Sequence, residues 1–261
     1  MSCWTRLTGR LRRPSAPLLH IASDDGEGPV IILIHGIASS AATFQKLIPQ
    51  LTAHHRCIAI DLLGFGQSPA PEGATYTIEE HVEAIAALKL RAPFMLVGHS
   101  LGALLSARYT AKFPAQVSRL VLVSPPVYIA QSEVGDPRVR MQLGFYMKAY
   151  EFLRNNKDFT IANATRIGKL LQISAVFEIS ERNWTPFILS LQNCIESQTT
   201  VSDIAAVQVP IDVVYGALDQ FMAPGTMRII EKMRHVTMHR VEVNDHLIRT
   251  RLARELVSVI G

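Results

Sequence analysis

The chain has 261 residues, 48% of them hydrophobic and 18% charged, a balance that fits a folded chain with a large core and excludes a disordered one. No apolar run approaches the roughly 18–20 residues that a membrane-spanning helix needs, so stable membrane insertion is not expected. The net charge of +4 traces to Arg6, Arg10, Arg12 and Arg13, which precede the first acid, Asp24; taking those four from 26 basic residues leaves 22 against 22 acids, a body neutral overall where nucleic acid would want a basic face, so no nucleic-acid partner is expected.

In chain order, the arginine tail runs into Pro14-Ser15-Ala16-Pro17 instead of an apolar segment, which argues against a signal peptide. A solvated start is the plain reading, beside an Arg-rich transit segment or a weak membrane-surface contact. Val30 to Ile34 is a continuous β-branched run, as a strand covered on both faces should be. Helical spacing follows from Ala42 to Leu51, then a short strand at Cys57–Ile60 and a glycine-rich loop, Asp61 to Ser68. Ile78 to Leu88 reads as a helix, and Phe94-Met95-Leu96-Val97 as a strand that runs into Gly98-His99-Ser100-Leu101-Gly102. A helix over Ala103–Phe113 and a strand over Leu120–Val123 complete a strand–helix rhythm that implies a parallel sheet.

Past Pro126 the rhythm breaks. Amphipathic stretches at Gln142–Arg154, Ala164–Ile173 and Pro186–Ile195 replace strands, and the sheet pattern resumes at Ile211–Tyr215. A helix over Pro224–Met233, a strand over Val236–Val243 and a helix over Ile248–Ile260 close the chain. The expected fold class is therefore α/β, with a mostly parallel central sheet and helices on both faces. Residues 1–126 and 201–261 form its core domain, and 127–200 form a helical insertion.

Cys3, Cys57 and Cys194 are odd in number and far apart, so neither a disulfide framework nor a zinc spacing exists, and a cytoplasmic location is the default. Cys57, in an apolar strand, suits a small buried hydrophobe. His235 and His239 share one face of a strand, but without an acid or cysteine nearby in sequence they read as surface residues. No metal or cofactor is called for.

In an open parallel sheet, ligands bind beyond the carboxyl ends of the strands. Three such ends carry chemistry here: Ser100 in its glycine-flanked turn, Asp219 after the strand ending at Tyr215, and His246 after the strand ending at Val243. A serine hydroxyl needs a base to become nucleophilic at neutral pH, and a histidine needs a partner to hold its tautomer. Asp245, adjacent to His246, is a poor partner because neighbouring side chains point apart.

The Gly98-His99-Ser100-Leu101-Gly102 turn, His35-Gly36, the Asp61 to Ser68 loop, Tyr215-Gly216-x-x-Asp219 and Asp245-His246 together resemble the α/β-hydrolase superfamily from about Val30 to the end. The resemblance implies Ser100 as nucleophile, His246 as general base and acid, and Asp219 as the orienting carboxylate. Some members carry that acid after the strand ending here at Val123, where this chain has Ser124-Pro125-Pro126. By resemblance the oxyanion donors are the backbone N–H groups of Leu101 and Ile37, His35 and His99 are structural or pocket-lining, Asp61 and its loop fix backbone turns, and the insertion is a cap over the serine.

Of the cap aromatics Phe145, Tyr146, Tyr150, Phe152, Trp184 and Phe187, two are expected to touch a small-molecule substrate. The residues put forward as lining are Phe145, Tyr146, Trp184 and Phe187, with Phe221 and Leu247 near the reactive centre. The implied activity is hydrolysis of carboxylic esters with largely apolar acyl groups. A carbon–carbon bond hydrolase of ring-fission dienoic acids, suggested by Trp184 to Gln198, and a cofactor-free perhydrolase share the same residues. That first group has asparagine before the serine and tryptophan after the histidine, where this chain has His99 and Leu247. Haloalkane dehalogenases and epoxide hydrolases use an aspartate in place of Ser100. A non-enzymatic small-molecule receptor is the reading from another class. Oligomeric state does not follow from the sequence.

Overall fold

A computed structural model describes residues 17–128, 135–173, 177–222 and 224–261; the tail arginines and Cys3 lie outside them. Seven strands form one sheet: β1 (Ile21–Asp25), β2 (Val30–Ile34), β3 (Arg56–Ile60), β4 (Phe94–His99), β5 (Val117–Val123), β6 (Ile211–Gly216) and β7 (Val236–Val241). Their order across the sheet is β1-β3-β2-β4-β5-β6-β7, parallel throughout except where β1 runs antiparallel to β3.

Because side chains alternate across a strand, the continuous apolar runs feed two cores. Ile32, Ile34, Leu96, Leu120 and Leu122 face one side, where α2 (Ile78–Ala87) and α3 (Leu101–Lys112) cover them. Ile31, Leu33, Val97, Val121 and Val123 face the other, packed by Phe44, Leu47, Leu51, Leu252 and Leu256. These last come from a 3-10 turn (Ala41–Phe44), Leu47 just before α1 (Ile48–Leu51), α1 itself and the terminal helix Thr250–Ile260. The sheet is thus buried on both faces, as the sequence implied.

Between β5 and β6 the chain leaves the sheet and builds helices: α4 (Pro137–Asn155), α5 (Lys157–Ala162), α6 (Ala164–Leu170), α7 (Trp184–Ser190), a π-turn (Leu191–Glu196) and α8 (Thr200–Ala206). It is fastened where it departs and returns. Gln198 donates to the carbonyls of Pro126 and Ile195 and accepts from the Tyr128 N–H. Asn193 and Cys194 donate to Thr75 and Tyr76 carbonyls, and His81 in α2 hydrogen-bonds Ser190 at 3.1 Å. After β6 come α9 (Pro224–Ile230), β7 and α10 (Thr250–Ile260).

Several boundaries differ from the sequence reading. The stretch Ala42–Leu51 is not one helix but a 3-10 turn and the short α1, since Pro49 has no N–H to donate and fits only a first turn. β1, unforeseen, is a mostly exposed edge strand held by a bidentate Arg56–Asp24 pair at 2.7 Å, so it carries no apolar run to announce it. His235 and His239 are half-buried and partnered: His235 donates to the Ile204 carbonyl, and His239 lies 2.8 Å from Asp212, a neighbour that only strand pairing reveals. Cys57 is free and buried, its thiol pushed up to about 11 by desolvation. Among the described residues no helix is long and apolar enough to cross a membrane.

Candidate active site

β4 delivers Ser100 into the turn before α3, with φ 54° and ψ −120°, a left-handed conformation that a non-glycine residue adopts only when its surroundings enforce it. The flanking glycines show the enforcement. A Cβ on Gly98 would stand 2.2 Å from the Gly102 carbonyl oxygen, and one on Gly102 would stand 2.2 Å from that of Ile34. The Ser100 N–H donates to Val123 at 2.9 Å, tying the turn to β5.

β6 ends at Gly216, where a Cβ would strike the Asn244 carbonyl at 2.2 Å, so the loops after β6 and β7 lie against each other. That contact joins Asp219 to His246. The imidazole Nδ1 lies 3.0 and 2.9 Å from the two Asp219 oxygens. Since a carboxylate only accepts, Nδ1 carries the hydrogen and Nε2 is left as the acceptor. The Asp219 side chain is fully buried. Burial alone would raise its carboxyl, but His246 beside it and the Phe221 N–H at 3.0 Å outweigh burial and hold it below its ordinary value. The His246 backbone is anchored as well: His99 Nε2 donates to its carbonyl at 2.8 Å, and Asn244 donates to the carbonyls of Asp245 and Leu247.

The rival groups are otherwise engaged. Asp245 turns to a bidentate contact with Arg249 and accepts from Leu247 N–H. Asp61 accepts from Ala41 and Gln67 N–H groups and meets His20, and a Cβ on Gly66 would enter its carboxylate at 2.2 Å; the residue holds its loop. His35 donates from Nδ1 to the Gly36 carbonyl and accepts the Leu62 N–H at Nε2. Desolvation takes His35 down to about 4; for His99, desolvation and the neighbouring His246 bring it to about 3, so both are neutral at pH 7.

Ser100 and His246 line one cavity of about 720 Å³, its open mouth included. Its wall is almost wholly apolar. Of the six residues put forward, Phe187, Phe221 and Leu247 line it. Phe145, Tyr146 and Trp184 do not: Phe145 is 69% exposed, Tyr146 spends its hydroxyl on the Gln220 carbonyl, and Trp184 packs on Phe187. Tyr150 and Phe187 are the two of the six cap aromatics on the wall. Leu153, Leu171, Ile173, Phe177, Leu191 and Ile195 were not singled out from sequence. All but Phe177, which lies in a loop, sit in amphipathic stretches whose inner faces have two uses, a core or a cavity, and spacing does not separate them.

The two expected oxyanion donors flank Ser100, Leu101 directly after it in the chain and Ile37 on the cavity wall. Leu101 is the first residue of α3, where N–H groups have no intrahelical partner. Ile37 lines the cavity, and a Cβ on Gly36 would stand 2.9 Å from that of Ser100, so this backbone passes directly beside the serine. Among the described residues no cluster of His, Cys, Asp and Glu could hold a metal ion.

Known proteins place the chain. A "Probable lysophospholipase BODYGUARD 2" of Arabidopsis thaliana is 38% identical over 108 residues, 38% of this chain and 23% of that protein. The chain therefore matches less than a quarter of that relative's length. "Lipase 1" of Psychrobacter immobilis is 29% identical over 219 residues, 79% of this chain and 67% of that one. Among solved structures, a serine hydrolase of carbazole degradation superposes with a TM-score of 0.71 at 19% identity over 91% of each chain, a likeness of fold. The sequence profile of the alpha/beta hydrolase fold matches residues 29–248, and the chain belongs to that family.

Proposed function

We propose that the protein is a serine hydrolase that cleaves carboxylic esters with small to medium, largely apolar acyl groups. The observation that carries this is the buried Asp219–His246 pair opening on the same apolar cavity as Ser100, itself held at φ 54°. His246 Nε2, left as an acceptor by the bond at Nδ1, takes the Ser100 proton as the hydroxyl attacks the ester carbonyl. The N–H groups of Leu101 and Ile37 receive the charge that develops on the carbonyl oxygen, a contribution worth about 100–1,000-fold per donor. His246 then protonates the departing alcohol, and water releases the acyl group by the same route. Asp219 keeps the imidazole in the working tautomer and stabilises the imidazolium.

Residues 127–200 act as a cap in this reading, because Tyr150, Leu153, Leu171, Phe177 and Phe187 from this segment line the same cavity as Ser100. A carbon–carbon hydrolase of dienoic acids would need a cation for the substrate carboxylate. Among the described residues the cavity wall has no lysine or arginine, which favours a neutral ester. The test is hydrolysis of p-nitrophenyl esters of increasing chain length. Activity with the wild type and its loss in Ser100→Ala, with an unchanged circular dichroism spectrum, is the expected result. Full activity in Ser100→Ala would overturn the assignment, and turnover of a dienoic ring-fission acid in preference to esters would replace it.

A further inference from the structure

Helix α4 is apolar on two opposite faces, and the fold uses only one. At about 100° per residue, Leu143, Tyr150 and Leu153 fall on the inner side, where Leu143 is buried and the other two line the cavity. Met141, Phe145 and Phe152 fall together on the outer side and are 72%, 69% and 51% exposed. Phe159 of α5, 51% exposed, meets Phe152 edge-on at 5.6 Å and extends the stripe. Leu170, at the end of α6, is 81% exposed beside Leu171, which lines the cavity. A surface helix ordinarily carries polar residues on its outer face. Contiguous exposed apolar side chains of this size mark an interaction surface.

The charges around the stripe choose the occupant. From Pro137 to Leu170 the chain has seven basic residues against two acids, Glu151 and Asp158. Two of the seven, Arg154 and Lys157, pair with Glu196 and Glu181; counting those acids too, seven stand against four, and the segment stays cationic. Arg138 and Lys148 are exposed and flank the apolar stripe on the helix wheel, and Arg166 and Lys169 are exposed on α6. A second copy seated face to face would bring Arg138 and Lys148 of both chains together, a repulsive contact. A basic rim around aromatic and aliphatic side chains fits an anionic lipid surface, where apolar groups enter the headgroup boundary and cations meet phosphate.

We propose that the outer face of α4–α6 docks the protein on anionic phospholipid surfaces, with the inner face of α4 and Leu171, just past α6, forming part of the cavity wall. This is peripheral docking, in keeping with the lack of a spanning helix among the described residues. The docking does not use Ser100; only its consequence, that the ester is carried in or delivered from a lipid surface, rests on the esterase reading.

The test is sedimentation of the full chain with vesicles of phosphatidylglycerol in phosphatidylcholine, beside vesicles of phosphatidylcholine alone, at low and high salt. The wild type and Ser100→Ala should bind the anionic vesicles equally, and about tenfold or more better than the neutral ones, with the preference lost at high salt. Met141→Gln/Phe152→Gln and Arg138→Glu/Lys148→Glu should each weaken binding about tenfold or more while short-ester hydrolysis in solution is unchanged. Failure of the wild type to bind, or equal binding by the variants, would overturn the proposal. Concentration-dependent dimerisation of the wild type that Met141→Gln/Phe152→Gln abolishes would assign the face to a second copy instead. Loss of esterase activity in every form would sink the reading of Ser100 and leave the vesicle result standing.

Discussion

Replacing Asp219 by asparagine should inactivate the enzyme by shifting the tautomer of His246 and removing its carboxylate partner. The Phe221 N–H donates to Oδ1 at 3.0 Å and fixes which end of the new amide is oxygen. An amide flipped the other way would set NH2 against that N–H, donor to donor. The amide nitrogen therefore takes the place of Oδ2, 2.9 Å from His246 Nδ1. It can only donate, which favours the tautomer with Nδ1 as acceptor and the hydrogen on Nε2, against the amide oxygen at the Oδ1 position, 3.0 Å from Nδ1, which accepts from the working tautomer. In the shifted tautomer the imidazole offers Ser100 a donor where a base is required, and in either tautomer no carboxylate remains to stabilise an imidazolium. Aspartate-to-asparagine changes of this kind in a Ser-His-Asp site cost about 10⁴ in turnover, roughly 5.5 kcal/mol of transition-state stabilisation. The amide is isosteric and keeps the Phe221 contact, so the loss should appear in kcat with a nearly unchanged melting temperature. The assay is p-nitrophenyl ester hydrolysis, with Asp245→Asn as control, whose carboxylate faces Arg249 instead. A loss under tenfold in Asp219→Asn, or an equal loss in Asp245→Asn, would refute the reasoning.

Other consequences can be checked alongside. Gly98→Ala and Gly102→Ala each drive a Cβ to 2.2 Å from a backbone carbonyl, so each should lower the melting temperature and, where the protein still folds, displace Ser100 and reduce turnover. His35, His81 and His99 are buried and neutral, with values pulled by desolvation from 6.5 to about 4, 3 and 3. The unfolded chain takes up their protons below 6.5 and the folded one does not, so stability should fall as pH drops from 6.5 toward 4. At pH 5.5 the three together cost about 4 kcal/mol, visible as a lower denaturant midpoint than at pH 7.5. Leu171→Trp, which adds bulk to the cavity wall, should raise KM for long acyl esters while leaving acetyl ester hydrolysis within about threefold; equal effects on both would remove Leu171 from the acyl site.

Much of this architecture was legible because it rests on backbone rules. The uninterrupted runs at β2, β4 and β5 read as strands covered on both faces, and the two glycines around Ser100 as a turn with no room for a Cβ, which the structure shows. Placing Asp219 and His246 at the ends of β6 and β7 followed from the same rhythm, and the structure brings their side chains within 2.9 Å. What sequence withheld is whatever depends on a partner from a distant element. His239 meets Asp212 only because β6 and β7 pair in register, and β1 is an edge strand with no apolar signal. The same holds in the helices of the 127–200 insertion. Phe145 and Tyr150 lie five residues apart on α4, and helical spacing puts them on different faces without saying which faces the serine. Phe145 proves to be outside and Tyr150 on the cavity wall.

The central claim is that Ser100 forms a covalent acyl-enzyme. Incubation with a fluorophosphonate, followed by mass spectrometry of the digested protein, tests it most directly. The adduct should map to Ser100, vanish in Ser100→Ala, and form far more slowly in Asp219→Asn. Ester turnover in a protein that takes no label, or a label on any other residue, would contradict it.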